Sequence, residues 1–253
     1  MEYVVNCTRK DIKNLPDNLP RNIHRLDLSF NSLGNSSFKN LELYGNDLMS
    51  LSIASNNVTI INTDILSSLT HLEELDLTGN LLDYIDDRLF LALNLRKLSG
   101  ISAKMFHHSA FWKLVSLEDL SVIFEQELIS VKSIPRDIFK GQLSLKFATL
   151  QNIEDIPPLD LPVQLDNLDM SGSNVFRVSP DIFMNLNNLR ELNLSNSSLS
   201  SLESESFIGL SSLSDLDLSR NKIVTLPNKL FEACRYTLDY LDLKFALSDF
   251  IAL

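Results

Sequence analysis

Apolar residues recur along this chain in one fixed figure. Leu72-Glu73-Glu74-Leu75-Asp76-Leu77, Leu189-Arg190-Glu191-Leu192-Asn193-Leu194 and Leu213-Ser214-Asp215-Leu216-Asp217-Leu218 all read L-x-x-L-x-L. With the middle leucine as anchor, apolar residues return at −3, 0, +2, +7, +10, +15 and +18, and a polar residue at +5. The turn anchored on Leu51 matches throughout, and so does the turn anchored on Leu168. Anchors fall at Leu26, Leu51, Leu75, Leu98, Leu120, Ala148, Leu168, Leu192, Leu216 and Leu241, with spacings of 25, 24, 23, 22, 28, 20, 24, 24 and 25 residues. The L-x-L alternation has period two and predicts a short strand with its leucines facing inward. One such unit cannot bury its own apolar face, so the units stack and their strands pair in parallel. Residues +7 to +18 then form the return path on the opposite side of the same core.

Asparagine at +5 predicts a second feature. It falls where the strand passes into the loop, and an amide offers two donors and an acceptor to backbone groups that the turn would otherwise bury unpaired. Asn31, Asn56, Asn80 and Asn221 occupy this place, and Ser173 and Ser197 are weaker substitutes. In the middle of the chain the same count reaches Ala103, Glu125 and Ile153, so the ladder is expected to break there. The middle also changes length. Gly100 stands where a leucine belongs, the turn from Leu120 carries an excess near Glu125 to Lys132, and the turn from Ala148 is short and passes through Ile156-Pro157-Pro158. Two readings compete: the repeats simply drift, or the break opens a pocket or presents a loop. On the second reading exposed aromatic surface marks the site. Phe106, His107, His108, Trp112 and Phe124 are then the candidate ligand-binding residues, whereas Phe111 is spaced as core.

Charge narrows the partners. The chain carries 22 Lys and Arg against 33 Asp and Glu, a net charge of −11. That balance argues against binding to nucleic acid or to an anionic membrane. No apolar run reaches the roughly 18 residues of a membrane span, and the first residues lack the pattern of a signal peptide. The between-leucine acids Asp27, Asp76, Asp169, Asp217 and Asp242 face outward by strand alternation, and the plainer reading is that they keep an exposed sheet face solvated. Five N-x-S/T motifs, at Asn6, Asn35, Asn57, Asn193 and Asn196, are candidate glycosylation sites of an extracellular chain. Cys7 and Cys234 stand at opposite ends of the stack, on the order of 40 Å apart at about 4.8 Å per strand, too far to pair. Cys234 follows Phe231 at a core spacing and is expected to be buried and inert. No phosphate-binding loop, zinc-protease motif, C-x-x-C or nucleophile elbow occurs, so the reading has no catalytic residue, metal or cofactor. The His107-His108 doublet is read as solvated surface before any metal or pH role.

The figure as a whole is that of leucine-rich repeats: an α/β solenoid, a horseshoe with a parallel β-sheet on its concave face and irregular convex segments. The stretch from Cys7 to Pro20, followed by Leu26-Asp27-Leu28-Ser29-Phe30-Asn31, looks like the end of an N-terminal cysteine cap leading into a first repeat. Phe139, Phe183, Phe207 and Phe231 sit at the convex phenylalanine position. Together these resemble the ectodomains of Toll-like receptors over essentially the whole chain, and a ladder broken in the middle is similar to the lipid-sensing subgroup. Slit-type proteins, matrix proteoglycans and variable lymphocyte receptors share the template. The resemblance implies a partial cap over residues 1–22 and about ten repeats over 23–253, irregular in 95–165 and without a C-terminal cap, as the N-terminal portion of a longer receptor. It also implies that Cys7 has lost a partner. The implied function is innate-immune recognition of a pathogen-derived or protein ligand, with signalling through a receptor homo- or heterodimer. The implied place is outside the cell, on a cell-surface or endosomal single-pass protein, with no membrane contact by this stretch. The alternatives are a secreted matrix or guidance protein and a cytosolic scaffold.

Overall fold

The computed structural model describes residues 3–35, 38, 40–124, 135–153 and 159–246. Glu125, the excess up to Lys132, Ile156-Pro157-Pro158 and the apolar Leu247, Phe250 and Ile251 lie outside them. Thirteen strands follow in order: β1 (Tyr3–Asn6), β2 (Ile23–Asp27), β3 (Ser50–Ser52), β4 (Glu74–Asp76), β5 (Lys97–Ile101), β6 (Asp119–Ile123), β7 (Phe147–Gln151), β8 (Asn167–Asp169), β9 (Arg177–Val178), β10 (Glu191–Asn193), β11 (Ser201–Leu202), β12 (Asp215–Asp217) and β13 (Tyr240–Asp242). All but β9 and β11 form one parallel sheet in chain order. Every anchor lies in one of these strands, and Leu26, Leu51, Leu75, Leu98 and Leu120 are cross-strand neighbours in register. The sheet therefore winds through nine turns from Leu26 to Leu241. Among the described residues helix is confined to a 3₁₀ turn at Leu41–Tyr44 and one short α-helix at Thr63–Ser67.

The core is a single buried file. Anchor leucines and their +2 partners lie under the sheet, and the convex return segments supply Phe90, Phe111, Phe139, Phe183 and Phe207. Phe90 stacks on Phe111 with centroids 6.2 Å apart, and Phe183 on Phe207 at 6.5 Å. Successive strands sit about 4.8 Å apart, while the bulkier return segments need more room, so the sheet becomes the concave face.

Two side chains shape each strand exit. Asn80 shows the first. Its Oδ1 accepts from the N–H groups of Asn56 and Val58 in the preceding turn, each at 3.0 Å. Its Nδ2 donates to the Ile53 carbonyl at 2.9 Å and to the Leu77 carbonyl at 3.0 Å. Asn221 repeats the pattern on Ser197, Leu199, Leu194 and Leu218, and Asn31 does so on Lys10, Ile12, Cys7 and Leu28. The second is the residue after the anchor. Oδ1 of Asp27, Asp76, Asp169, Asn193, Asp217 and Asp242 accepts from the N–H two residues on, at 2.7–3.0 Å. These are Asx turns, and each of these strands ends at its Asx residue, after five residues in β2 and three in the others. The +4 residue lies in the left-handed region after each of these turns, at Phe30, Gly79, Gly172, Asn196, Arg220 and Phe245, and also at Ser55 and Asn152, where Ser52 and Thr149 stand in place of the Asx residue.

The middle turns lack both devices. Ser99, Ser121 and Thr149 replace the capping carboxylate, and β5, β6 and β7 run to five residues. Gly100 adopts φ +63° and bulges out of register, so that Ile101 rather than Gly100 faces Val122 and fills the core. A Cβ on Gly100 would stand 2.4 Å from Thr78 Cα. The loop that follows is shortened. Ala103 bridges Leu82 and Phe106 bridges Ile85, so Ala103 and Phe106 take the +7 and +10 places although they count +5 and +8 from Leu98. The expectation that Ala103 stands at a vacated ladder position is thereby corrected: the position itself is excised. Backbone pairing replaces it, with the Leu82 N–H donating to the Ser102 carbonyl and the Lys104 N–H to the Leu82 carbonyl, both at 2.9 Å.

A second chain of side-chain bonds begins where the asparagine ladder stops. Gln142 Nε2 donates to the Phe111 carbonyl, Gln164 Nε2 to Gln142, Asn188 Nδ2 to Val163, Ser211 Oγ to Asn187 and Thr237 Oγ1 to Ser211. It runs along the loops that lead into the strands, opposite the exits.

Asn80→Ala leaves the buried N–H groups of Asn56 and Val58 without an acceptor and removes one of two bonds from each of the Ile53 and Leu77 carbonyls, and is expected to cost about 3 kcal/mol. Ser173→Ala, which removes one long bond to the Ile153 N–H, is expected to cost less than about 1 kcal/mol. Equal shifts of the two in urea titrations would contradict the ladder's role. Gly100→Ala is expected to cost roughly 3 kcal/mol from left-handed strain and overpacking together; a melting curve matching the parent would refute the bulge.

Candidate functional site

Strand alternation turns two residues per repeat outward onto the concave face, at −1 and +1 from the anchor. In the N-terminal half these positions carry both signs. Arg25 lies 3.9 Å from Glu74, and Lys97 lies 2.8 Å from Asp119. The hydrogen bond from Lys97 to Asp119 raises the lysine pKa against the opposing effect of burial. Phe147 interrupts this face with its ring half exposed.

The C-terminal half is different. Across β8, β10, β12 and β13 the outward residues are Asn167, Asp169, Glu191, Asn193, Asp215, Asp217, Tyr240 and Asp242, with no Lys or Arg among them. Asp217 faces Asp242 directly in register, and Glu191 faces Asp215. Asn193 sits between Asp169 and Asp217. Asn167 Nδ2 donates to Glu191, and Tyr240 Oη to Asp242 at 3.3 Å. The Asp242 charge, with burial and then Asp217 and Asp215, pushes the Tyr240 phenol above its ordinary pKa. The between-leucine acids thus have a structural task in the Asx turns, which needs only an Oδ1 acceptor. Their charge is surplus to it, because Asn193 performs the same task without charge. The outward residues at −1, including Glu191, Asp215 and Tyr240, were not singled out from sequence, although the same alternation exposes them.

The aromatic candidates divide. Phe106 and Phe124 are buried, against the expectation of exposure. Gly100 and the shortened loop shift Phe106 into the +10 core place. Phe124 continues the inward alternation of β6, which has no Asx turn to end it. Their centroids lie 5.8 Å apart, and Phe106 lies 6.1 Å from Phe111. His107, His108 and Trp112 remain together on the convex side, and His108 and Trp112 line a shallow pocket with Ser109, Asp137, Lys140 and Gly141. The two imidazole centroids are 4.3 Å apart, His108 Nδ1 lies 2.8 Å from Ser109 Oγ, and the Lys113 ammonium stands 4.4 Å over the half-exposed Trp112 ring. Among the described residues no group of three His, Cys, Asp or Glu could hold a metal ion. Nor, among the described residues, is any helix long and apolar enough to cross a membrane. Both cysteines are free, Cys7 half-buried and Cys234 fully buried, and burial raises both thiol pKa values.

Comparison with known proteins fits this geometry. The family model described as leucine rich repeat matches residues 46–99 and 163–223, the two stretches that flank the irregular middle. The chain is a leucine-rich-repeat solenoid. In sequence the solenoid is similar to human Epiphycan, 28% identical over 138 residues, which cover 53% of this chain and 41% of that one. In structure it is similar to a chain of the Toll–Spatzle complex of Drosophila, with a TM-score of 0.73 at 20% identity, covering 89% of this chain and 30% of that one. It also matches a chain of the TLR13–ssRNA13 complex, with a TM-score of 0.69 at 24% identity, covering 88% and 36%. At these identities the two structures share the fold. The chain spans less than half the length of each of these three.

Asp242→Asn keeps the acceptor of its Asx turn and removes the nearest charge, so the Tyr240 phenol is expected to titrate at lower pH than in the parent. Ultraviolet absorbance across the alkaline range reads this directly; an unmoved titration would mean that the carboxylates do not act on the face as a group.

Proposed function

We propose that this chain is the ligand-recognising part of an extracellular innate-immune receptor of the Toll-like kind, and that a protein ligand docks on the C-terminal half of the concave sheet. The observation that carries this reading is the outward face of β8, β10, β12 and β13, an open sheet surface with five carboxylates and no cation. Such a surface favours a cationic partner and repels nucleic acid. The likeness to Toll and TLR13 chains supports the receptor assignment, and the N-x-S/T motifs support the extracellular one. The five carboxylates are Asp169, Glu191, Asp215, Asp217 and Asp242. Pairing of two ectodomains around the ligand is the step that would carry the signal. A second reading, a secreted matrix or guidance protein, draws support from the sequence similarity to Epiphycan.

Two measurements test the proposal. A membrane-impermeant label applied to cells expressing the native protein is expected to mark it at the surface; label found in the matrix or medium favours the second reading, and none in either place favours a cytosolic scaffold. A lysine-rich probe peptide is expected to bind the chain in a salt-sensitive manner while a glutamate-rich one does not. The triple change Asp215→Asn, Asp217→Asn and Asp242→Asn is expected to weaken that binding at least about tenfold, since each lost charge contact is worth on the order of 0.5–1 kcal/mol. Unchanged binding would move the ligand site elsewhere.

A further inference from the structure

The five N-x-S/T asparagines are equal as motifs and unequal in the fold. Asn35 is fully engaged. Its Nδ2 donates to Thr59 Oγ1 at 2.9 Å, and its Oδ1 accepts from the N–H groups of Thr59 and Ile60 at 2.8 and 3.1 Å. Asn6 and Asn193 belong to the sheet, and each uses Oδ1 in an Asx turn, to Thr8 and Ser195. Asn193 is also half-buried on the concave floor between two aspartates.

Asn57 and Asn196 differ from these three. Each lies in a strand-exit loop in the left-handed region, with φ of 56° and 53°. Each is exposed, and neither side-chain amide has a hydrogen bond among the described residues. The residue beside each one does the structural work: Asn56, before Asn57, and Ser197, after Asn196, are fully buried and bonded across the turns. The left-handed backbone is the means of this division. It lets a buried ladder residue and an outward amide stand next to each other.

We propose that Asn57 and Asn196 are sites of N-linked glycosylation, an assignment that rests on the extracellular reading above. In the reaction the side-chain Nδ2 attacks the anomeric carbon of a lipid-linked oligosaccharide diphosphate. The N–C bond forms, the C–O bond to phosphate breaks, the diphosphate leaves with the electron pair, and the amide gives up one proton. The product retains Oδ1 and one N–H. No bond among the described residues is lost, because neither amide makes one there. Both sugars would project from the strand-exit rim, the one on Asn196 beside a hollow that this residue lines with Asp217.

The test uses the full chain directed into the secretory pathway of animal cells by an added leader peptide, and recovered from both lumen and medium. Glycan removal by an amidase in heavy-oxygen water converts occupied asparagines to labelled aspartates. The Asn57 and Asn196 peptides are expected to carry label. Asn57→Gln and Asn196→Gln are each expected to lower the mass by one glycan, with only a small fall in melting temperature from placing glutamine in the left-handed region. Unlabelled peptides at both positions, or a double variant with the parent's glycan mass, would overturn the assignment. The leader imposes lumenal exposure, so such a failure counts against these two sites. Failure of the extracellular reading would appear separately, in the surface labelling of the native protein.

Discussion

The solenoid depends on satisfying backbone groups at the strand exits. Each turn leaves the sheet through a loop pressed between its neighbours, where N–H and C=O groups cannot reach water. A hydrophobic figure alone would pack leucines and leave these groups orphaned, at a cost of roughly 1–3 kcal/mol apiece. Asparagine at +5 answers four or five at once, shared between its own turn and the turn before. The Asx residue at +1 sets where the strand stops. The point at which β2, β4, β8, β10, β12 and β13 end follows from that cap.

The middle shows what happens without them. β5, β6 and β7 lack both side chains, and pairing simply continues for two further residues. A backbone bridge at Leu82 and Ala103 then closes the shortened turn that the ladder would have sealed. The contacts of Gln142 and Gln164 tie the middle turns from the other flank, and those of Asn188, Ser211 and Thr237 carry the chain of bonds on into the C-terminal turns. Neighbouring turns are therefore bound to one another along the whole described stack, by different atoms in different places. The acids of the concave face belong to the same account, since their caps need an oxygen and not a charge.

Much of this was legible in the sequence because a leucine at the anchor and an asparagine at +5 leave periodic marks. The anchors lie in strands, and the asparagines make the contacts their position implies. Phe106 and Phe124 were misjudged because counting assumes a rigid template. Gly100 adds a residue to its strand while the next loop loses several, and only the net change of spacing is visible from outside. Phe124 required knowing that a strand without an Asx turn keeps alternating. The left-handed +4 site was scarcely legible, because phenylalanine, serine, asparagine, arginine and glycine all fill it. The context of the turn fixes the backbone there, and the side chain only tolerates it. On the concave face, attention to the residue after the anchor hid the one before it, and with it the contrast between a charge-balanced half and a wholly acidic one.

The replacement of side-chain contacts by backbone pairing in the middle has a consequence for how such a chain can change over generations. A ladder asparagine is a single point on which four backbone groups depend, so the turns that use it tolerate little variation there. A backbone bridge makes no demand on side-chain identity beyond fitting the core. The central turns are thus free to exchange loop lengths and surface residues while the arms on either side hold the register. A repeat protein that must meet new partners without losing its frame has, in that stretch, the place where novelty costs least.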